Sequence, residues 1–166
     1  MRRARAVHPI CDLQIEYSLV SRGVEKSILP ALRELGIAVT AYGVLSRGLL
    51  SNSHVAEKGD FRVNFPRFHP ENQERNRPLL EDLAQLAAER GITPVQLAFA
   101  WVRSRGDDIL PLIGARTRDQ LQESLAAADI KLSADEMQRV EEIIHPERVA
   151  GTRYDAHQMK MLDSEK

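Results

Sequence analysis

The residues best suited to chemistry lie in one stretch, Ile109-Leu-Pro-Leu-Ile-Gly-Ala-Arg-Thr-Arg-Asp-Gln-Leu-Gln-Glu-Ser-Leu125. Its spacing predicts a short buried strand, a turn at Gly114 and a helix. Thr117 and Gln120 open that helix in the Thr-x-x-Gln pattern of a capping box. The leading amides of a helix have no intrahelical acceptor and carry the positive end of its dipole, so they attract anions. Gly114 allows close backbone approach, and Arg116 and Arg118 add forked donors suited to phosphate. The same residues also suit an ordinary strand-to-helix connection with solvated arginines. Only the rest of the chain can decide between the two.

Elsewhere the pattern defines the elements that must position this stretch. Met1 to Ala6 has the composition of a helix end. Leu13, Ile15, Tyr17 and Leu19 alternate with Gln14, Glu16 and Ser18, which is strand spacing between Cys11 and Val20. Val24 to Leu35 carries Ile28, Leu32 and Leu35 at helical spacing and stops at Gly36; Pro30 requires a late start, a kink or a first-turn position. Ile37 to Tyr42 reads as a second buried strand, closed by Gly43. A long polar loop follows from Leu50 to about Asn72, and loops of that length in compact domains are usually functional lids or disordered. Phe61, Phe65 and Phe68 argue for order; they either shape a substrate pocket or anchor the loop, and anchoring is favoured.

Glu74 to Arg90 is amphipathic at helical spacing through Leu79, Leu80, Leu83, Leu86 and Ala87. Thr93-Pro-Val-Gln96 is a second capping box with proline at the first helical position, and Ser133-Ala-Asp-Glu136 opens the last helix. From Pro146 the tail reads as polar and irregular. Strands alternating with helices predict an α/β fold with a parallel sheet, either doubly wound or part of an eight-stranded (β/α)8 barrel. The polar face of Gln14 and Glu16 favours the barrel.

The composition excludes several classes of function. With 166 residues and 43% hydrophobic content the chain can bury a real core as one domain. A net charge of -1 gives no electrostatic footprint for nucleic acid, and Arg2, Arg3 and Arg5 are too short a basic run to supply one. Cys11 is the lone cysteine and has no partner for an internal disulfide. No apolar run has the length of a membrane span or signal peptide, so no membrane partner and a cytoplasmic location are expected. His8, His54, His69, His145 and His157 have no metal or catalytic spacing and are expected at the surface. No Gly-x-Gly-x-x-Gly follows any strand, which counts against a small doubly wound nucleotide domain.

Three motifs together resemble the aldo-keto reductases. They are Gln14-Ile-Glu-Tyr-Ser-Leu19, Ala41-Tyr-Gly-Val-Leu-Ser-Arg-Gly-Leu-Leu50 and Pro111-Leu-Ile-Gly-Ala-Arg-Thr117 through Leu125, in the order and spacing of that family's last three barrel strands. Gly59-Asp-Phe-Arg62, Pro66-Arg-Phe68 with Asn72 and Asn76, Thr93 to Ala98 and Gly151-Thr-Arg-Tyr154 are similar to its microbial NADP-dependent branch. The resemblance implies a partial TIM barrel covering about the last three β/α units plus a C-terminal helix and tail. Residues 1–166 would then be the C-terminal part of a single oxidoreductase domain.

The implied cofactor is NADP(H) and the implied substrate a small-molecule aldehyde or ketone, reduced to an alcohol by hydride transfer. Gln14 corresponds to the glutamine on the nicotinamide carboxamide, and Tyr42 to the aromatic stacked on the nicotinamide ring. Gly43, Leu45 and Arg47 correspond to the loop along the pyrophosphate. Gly114, Ala115, Arg116, Thr117 and Gln120 correspond to the 2′-phosphate and adenine site, where arginine favours NADP(H) over NAD(H). Glu123 corresponds to the acceptor for the adenine amine, and Ser124 stands where the family usually has asparagine.

The family's catalytic aspartate, tyrosine, lysine and histidine lie on its first four strands, which have no counterpart in this sequence. The chain alone is therefore expected to be inactive, as a cofactor-binding half. It is otherwise a non-catalytic NADPH-binding or regulatory module, or a truncated inactive fragment. Met1 is then an internal methionine, a misplaced start or the start of a shortened gene. Exposed strand edges would favour self-association or pairing with a separate N-terminal half.

Overall fold

The computed structural model describes residues 1–51, 53 and 59–165; His54 lies outside the described residues. Helix α1 (Arg2–Arg5) precedes strand β1 (Asp12–Glu16), helix α2 (Ile28–Leu35) and strand β2 (Ala38–Tyr42). Helices α3 (Pro70–Glu89) and α4 (Pro94–Ser104) lead to strand β3 (Ile109–Pro111), followed by α5 (Arg118–Ala126), α6 (Ala134–Ile143) and α7 (Ala156–Lys160).

The three strands form one parallel sheet in the order β1-β2-β3. Asp12 to Glu16 pairs with Ala38 to Tyr42, and Val39 to Ala41 pairs with Ile109 to Pro111. Alternation then sorts the side chains between two faces. Val39, Ala41 and Ile109 are buried on the helix-covered face, whereas Asp12, Gln14, Tyr42 and Leu110 are exposed on the other. Helices cover one face only. That separates the two architectures: a doubly wound sheet is covered on both sides, and a barrel segment opened from its inside is not. The structure is a partial (β/α)8 barrel. β1 and β3 are the outer strands, and Pro111 sits on the β3 edge, where a missing amide proton is tolerated.

Local chemistry explains where the elements start and stop. Pro30 is the third residue of α2, inside its first turn, and the expected helix from Val24 is instead a 3-10 turn at Gly23–Glu25 followed by α2. Gly36 ends α2 at φ 65, a left-handed stop that costs glycine little. β1 is shorter than its alternation predicts, because Ser18 and Ser21 pair back on each other two residues beyond Glu16. α3 starts at Pro70 rather than Glu74 and runs through Pro78, held in register by buried Asn76, Leu79, Leu83, Leu86 and Ala87. α4 is apolar nearly all round, with Val95 and Leu97 through Val102 buried, and forms the centre of the core.

Both predicted capping boxes at Thr93 and Ser133 form with their reciprocal bonds. In the second, Glu136 accepts from the Ser133 amide at 2.7 Å and pairs with Arg90 at 2.9 Å. The Ser133 amide is the main cause that holds the Glu136 carboxyl below the usual 4.5, with the nearby Arg90 and Arg139 charges acting in the same direction. A depressed folded-state value means the stabilisation is complete above the unfolded value and is lost as pH falls through the folded one. Glu136→Ala should therefore cost about 1 kcal/mol at pH 7 and much less near pH 3. Urea unfolding at both pH values measures this, and an equal cost at both would contradict it.

Candidate functional site

Parallel strands bring their carboxyl ends to one side, where (β/α)8 folds place their sites. The turn after β2 is the most constrained segment there. Gly43 takes φ 69, and a Cβ on it would lie 3.0 Å from Cγ of Glu16. Ser46, Arg47 and Gly48 then follow at φ 47, 55 and 92, three consecutive residues in the left-handed region. Two of them are not glycine, a conformation that persists only when surrounding contacts enforce it.

Those contacts are present. Arg67 donates to Ser46 Oγ at 3.3 Å, and Arg62 donates to the Arg47 carbonyl at 3.0 Å. Arg62 is itself held by Asp60 at 2.6 Å. The Arg47 guanidinium packs against the rings of Phe65 and Tyr154, at 4.5 and 4.8 Å.

The turn after β3 is built differently. Thr117 caps α5 by accepting from the Gln120 amide at 3.2 Å. The reciprocal half of the expected box is displaced: Gln120 Oε1 accepts from the Arg116 amide at 2.9 Å, not from Thr117. Gln120 thus folds the Gly114–Thr117 turn onto the helix start. The amides of Thr117, Arg118 and Asp119 have no acceptor among the described residues, as expected for a helix N-terminus facing solvent.

A cavity of about 1060 Å³ joins the two turns, at the upper end of small-molecule sites. Leu45, Arg47, Gly114, Arg116, Gln120, Glu123 and Ser124 line it together, although the two groups are far apart in sequence. Gly43, Ala115, Thr117 and Arg118 belong to these two turns but do not line the cavity. Gln14, in the middle of β1, and Tyr42, at the end of β2, are exposed on the open sheet face and do not line the cavity. Burial, and then Tyr154, raise the Tyr42 hydroxyl above its usual 10.0, so it stays neutral at physiological pH.

Several lining residues escaped the sequence reading as site candidates. Asp60 and Arg62 come from the loop after β2, beside Phe61, whose alternative as a pocket residue fits its place in the lining, and Thr93, Pro94 and Val95 come from the start of α4. The Thr93 capping box signalled a helix start but carried no hint that the same turn walls a cavity. Phe68 anchors its segment at 3% exposure, whereas Phe61 is 63% exposed and lines the cavity, so the three phenylalanines do not share one role. His8, His145 and His157 are exposed and His69 is half-buried; among the described residues no His, Cys, Asp and Glu cluster could hold a metal.

Beneath the turns lies a buried polar network. Glu16, at the end of β1, pairs with Arg153 of the tail at 3.1 Å and accepts from Ser21 Oγ at 3.1 Å. Arg67 donates to Ser21 Oγ at 3.2 Å and to the Gly151 carbonyl at 3.3 Å. Arg153 also donates to Ser164 at 2.7 Å. Asn76 grips Ala150 at both its amide and carbonyl, at 2.7 and 2.9 Å. A Cβ on Gly151, at φ 80, would meet the Arg67 Cα at 2.6 Å, so backbone passes backbone there. The tail expected to be irregular is therefore docked, and its conformation is set by the strand end.

Comparison with known proteins agrees with this layout. The model of the aldo/keto reductase family matches residues 1–145. A glycerol dehydrogenase from Gluconobacter oxydans is similar at 31% identity and TM-score 0.78, over 86% of this chain and 45% of that one. Two structures of a Klebsiella pneumoniae aldo/keto reductase, one with NADP and acetate and one with NADPH, are 26% and 28% identical. Both have a TM-score of 0.60, over 87% of this chain and 43% of theirs. The chain thus spans less than half the length of these relatives. No helix among the described residues is long and apolar enough to cross a membrane.

Removing one member of a buried ion pair leaves the other charge desolvated. Arg153→Met should lower the unfolding free energy by about 3 kcal/mol, and adding Glu16→Gln should recover part of that. Urea denaturation of the single and double variants measures both effects. A cost below about 1 kcal/mol for Arg153→Met would mean the pair does not hold the tail.

Proposed function

The chain belongs to the aldo/keto reductase family, and from that premise we propose that it is the NADP(H)-binding part of an oxidoreductase acting on small carbonyl compounds. The observation that carries this reading is the shared cavity. It brings Arg47 from the β2 turn to Arg116 and Gln120 from the β3 turn, two cationic turns far apart in sequence.

The donor set fits a phosphorylated dinucleotide. The α5 amides without acceptors, together with Arg116 and Thr117, would take a 2′-phosphate. No carboxylate ends β3 to select a free ribose hydroxyl, which favours the phosphorylated form. Gly114 and Ala115 would allow close approach of that end, and Glu123 would accept from the adenine amine. Ser124 is buried and shorter than asparagine, so it would offer one hydroxyl there. Gly43, Leu45 and Arg47 would run along the diphosphate. Tyr42 at the end of β2 and Gln14 in the middle of the adjacent β1 would orient the nicotinamide by stacking and by a paired donor and acceptor.

When bound, NADP(H) supplies hydride transfer at the carbonyl carbon. The chain's own contribution is binding and orientation. Tyr42 remains protonated, and on this reading its part is to orient the nicotinamide ring. We assign the acid that protonates the carbonyl oxygen to a part of the barrel outside these residues. On this reading the isolated chain binds NADPH without aldehyde-dependent oxidation of it.

Fluorescence titration should show NADPH binding, with Arg116→Met weakening it about tenfold or more and leaving NADH affinity unchanged. Equal losses for both nucleotides would contradict a 2′-phosphate role for Arg116. Aldehyde-dependent turnover that survives purification and vanishes in Tyr42→Ala would contradict the absence of the acid.

A further inference from the structure

Arg47 differs from the other arginines packed around the β2 turn. Arg62 is bound to Asp60, and Arg67 and Arg153 are tied into the Glu16 network. Among the described residues Arg47 has no carboxylate partner; its guanidinium instead packs into a corner formed by two aromatic rings, Phe65 at 4.5 Å and Tyr154 at 4.8 Å. These rings pack edge to face on each other, 5.8 Å apart at 76°. All five N–H donors of a guanidinium lie in its plane, and the faces carry none. Contact with a ring uses up no donor, so this corner fixes the side chain while leaving its N–H groups for other partners, and the side chain lines the cavity.

The backbone is held as tightly as the side chain. Arg47 sits at φ 55 between Ser46 and Gly48, with its carbonyl taken by Arg62. A strained turn and a stacked side chain together give one orientation to a group that is otherwise among the most mobile. Such pre-organisation matters where a planar fork meets a flat or tetrahedral oxyanion, because less freedom is lost per bond formed.

We propose that Phe65 and Tyr154 are positioning residues that set the Arg47 guanidinium for the diphosphate of the bound nucleotide, so that the C-terminal tail controls affinity for that part of the ligand. This rests on the nucleotide reading above. Tyr154 arrives from a distant segment and is fixed by its neighbour Arg153, which is buried against Glu16. The tail is thus a component of the site, not an appendage beside it. Cation–π contact requires the ring and not the hydroxyl, so phenylalanine can replace Tyr154 here and leucine cannot.

Calorimetric titration of the full chain with NADPH and with 2′-AMP tests this, since 2′-AMP carries the adenine and 2′-phosphate but no diphosphate. Tyr154→Leu should weaken NADPH about three- to thirtyfold and leave 2′-AMP within about twofold. Tyr154→Phe should restore NADPH to within about twofold of the parent. In an Arg47→Met background, Tyr154→Leu should have no further effect on NADPH. Unchanged NADPH affinity in Tyr154→Leu, with 2′-AMP still bound, would overturn the clamp alone. Equal losses for both ligands, or a loss that persists without Arg47, would show that Tyr154 acts only through the fold. Failure of the parent chain to bind either ligand would overturn the nucleotide site and the clamp with it.

Discussion

The ion pair between Glu16 and Arg153 is the constraint on which the rest of this site depends. Both side chains are nearly inaccessible, and a charge in such a place is tolerated only with a partner and further hydrogen bonds. Glu16 meets that demand by drawing in Ser21 from its own loop and Arg153 from the tail, while its Cγ packs on Gly43 of the next strand end. Ser21 in turn engages Arg67, which reaches Ser46 and the tail carbonyl of Gly151. One carboxylate at the end of β1 therefore fixes four chain segments relative to each other. Replacing it with an apolar residue would leave two buried guanidinium groups to be satisfied elsewhere.

That network explains why a left-handed turn with two non-glycine residues is stable. Ser46 and Arg47 are held at the hydroxyl, at the carbonyl and at the side chain by groups from three other segments. Strain of this kind is compensated by tertiary contact and is concentrated where a group must be presented in one orientation. The β3 turn achieves its form locally, through Thr117 and Gln120. One wall of the cavity is thus set by its own sequence and the other by the whole fold.

This difference also decides what was legible beforehand. Caps at Thr93, Thr117 and Ser133, the stop at Gly36 and the inward polar face of Gln14 and Glu16 all follow from local chemistry, and each appears where its residues indicate. The single covered face of the sheet distinguishes the barrel segment from a doubly wound domain, as the polar face of β1 suggested. The tail was misread as irregular because its order comes from Asn76, Glu16 and Arg67, partners between about 70 and 140 positions away. Asp60, Arg62 and the cavity wall from Thr93 to Val95 were not legible for the same reason. No spacing rule relates those residues to the turn at Gly114. Resemblance supplied Arg47 as a site residue, but not the rings that hold it.

The account's central claim is that the two turns at the strand ends form one nucleotide site. Titrating isotopically labelled protein with NADP+ and following backbone amide resonances tests it most directly. Shifts that saturate together at Leu45 to Gly48 and at Gly114 to Gln120 are the predicted result. Saturable shifts confined to one turn, or located on the open sheet face instead, would contradict it.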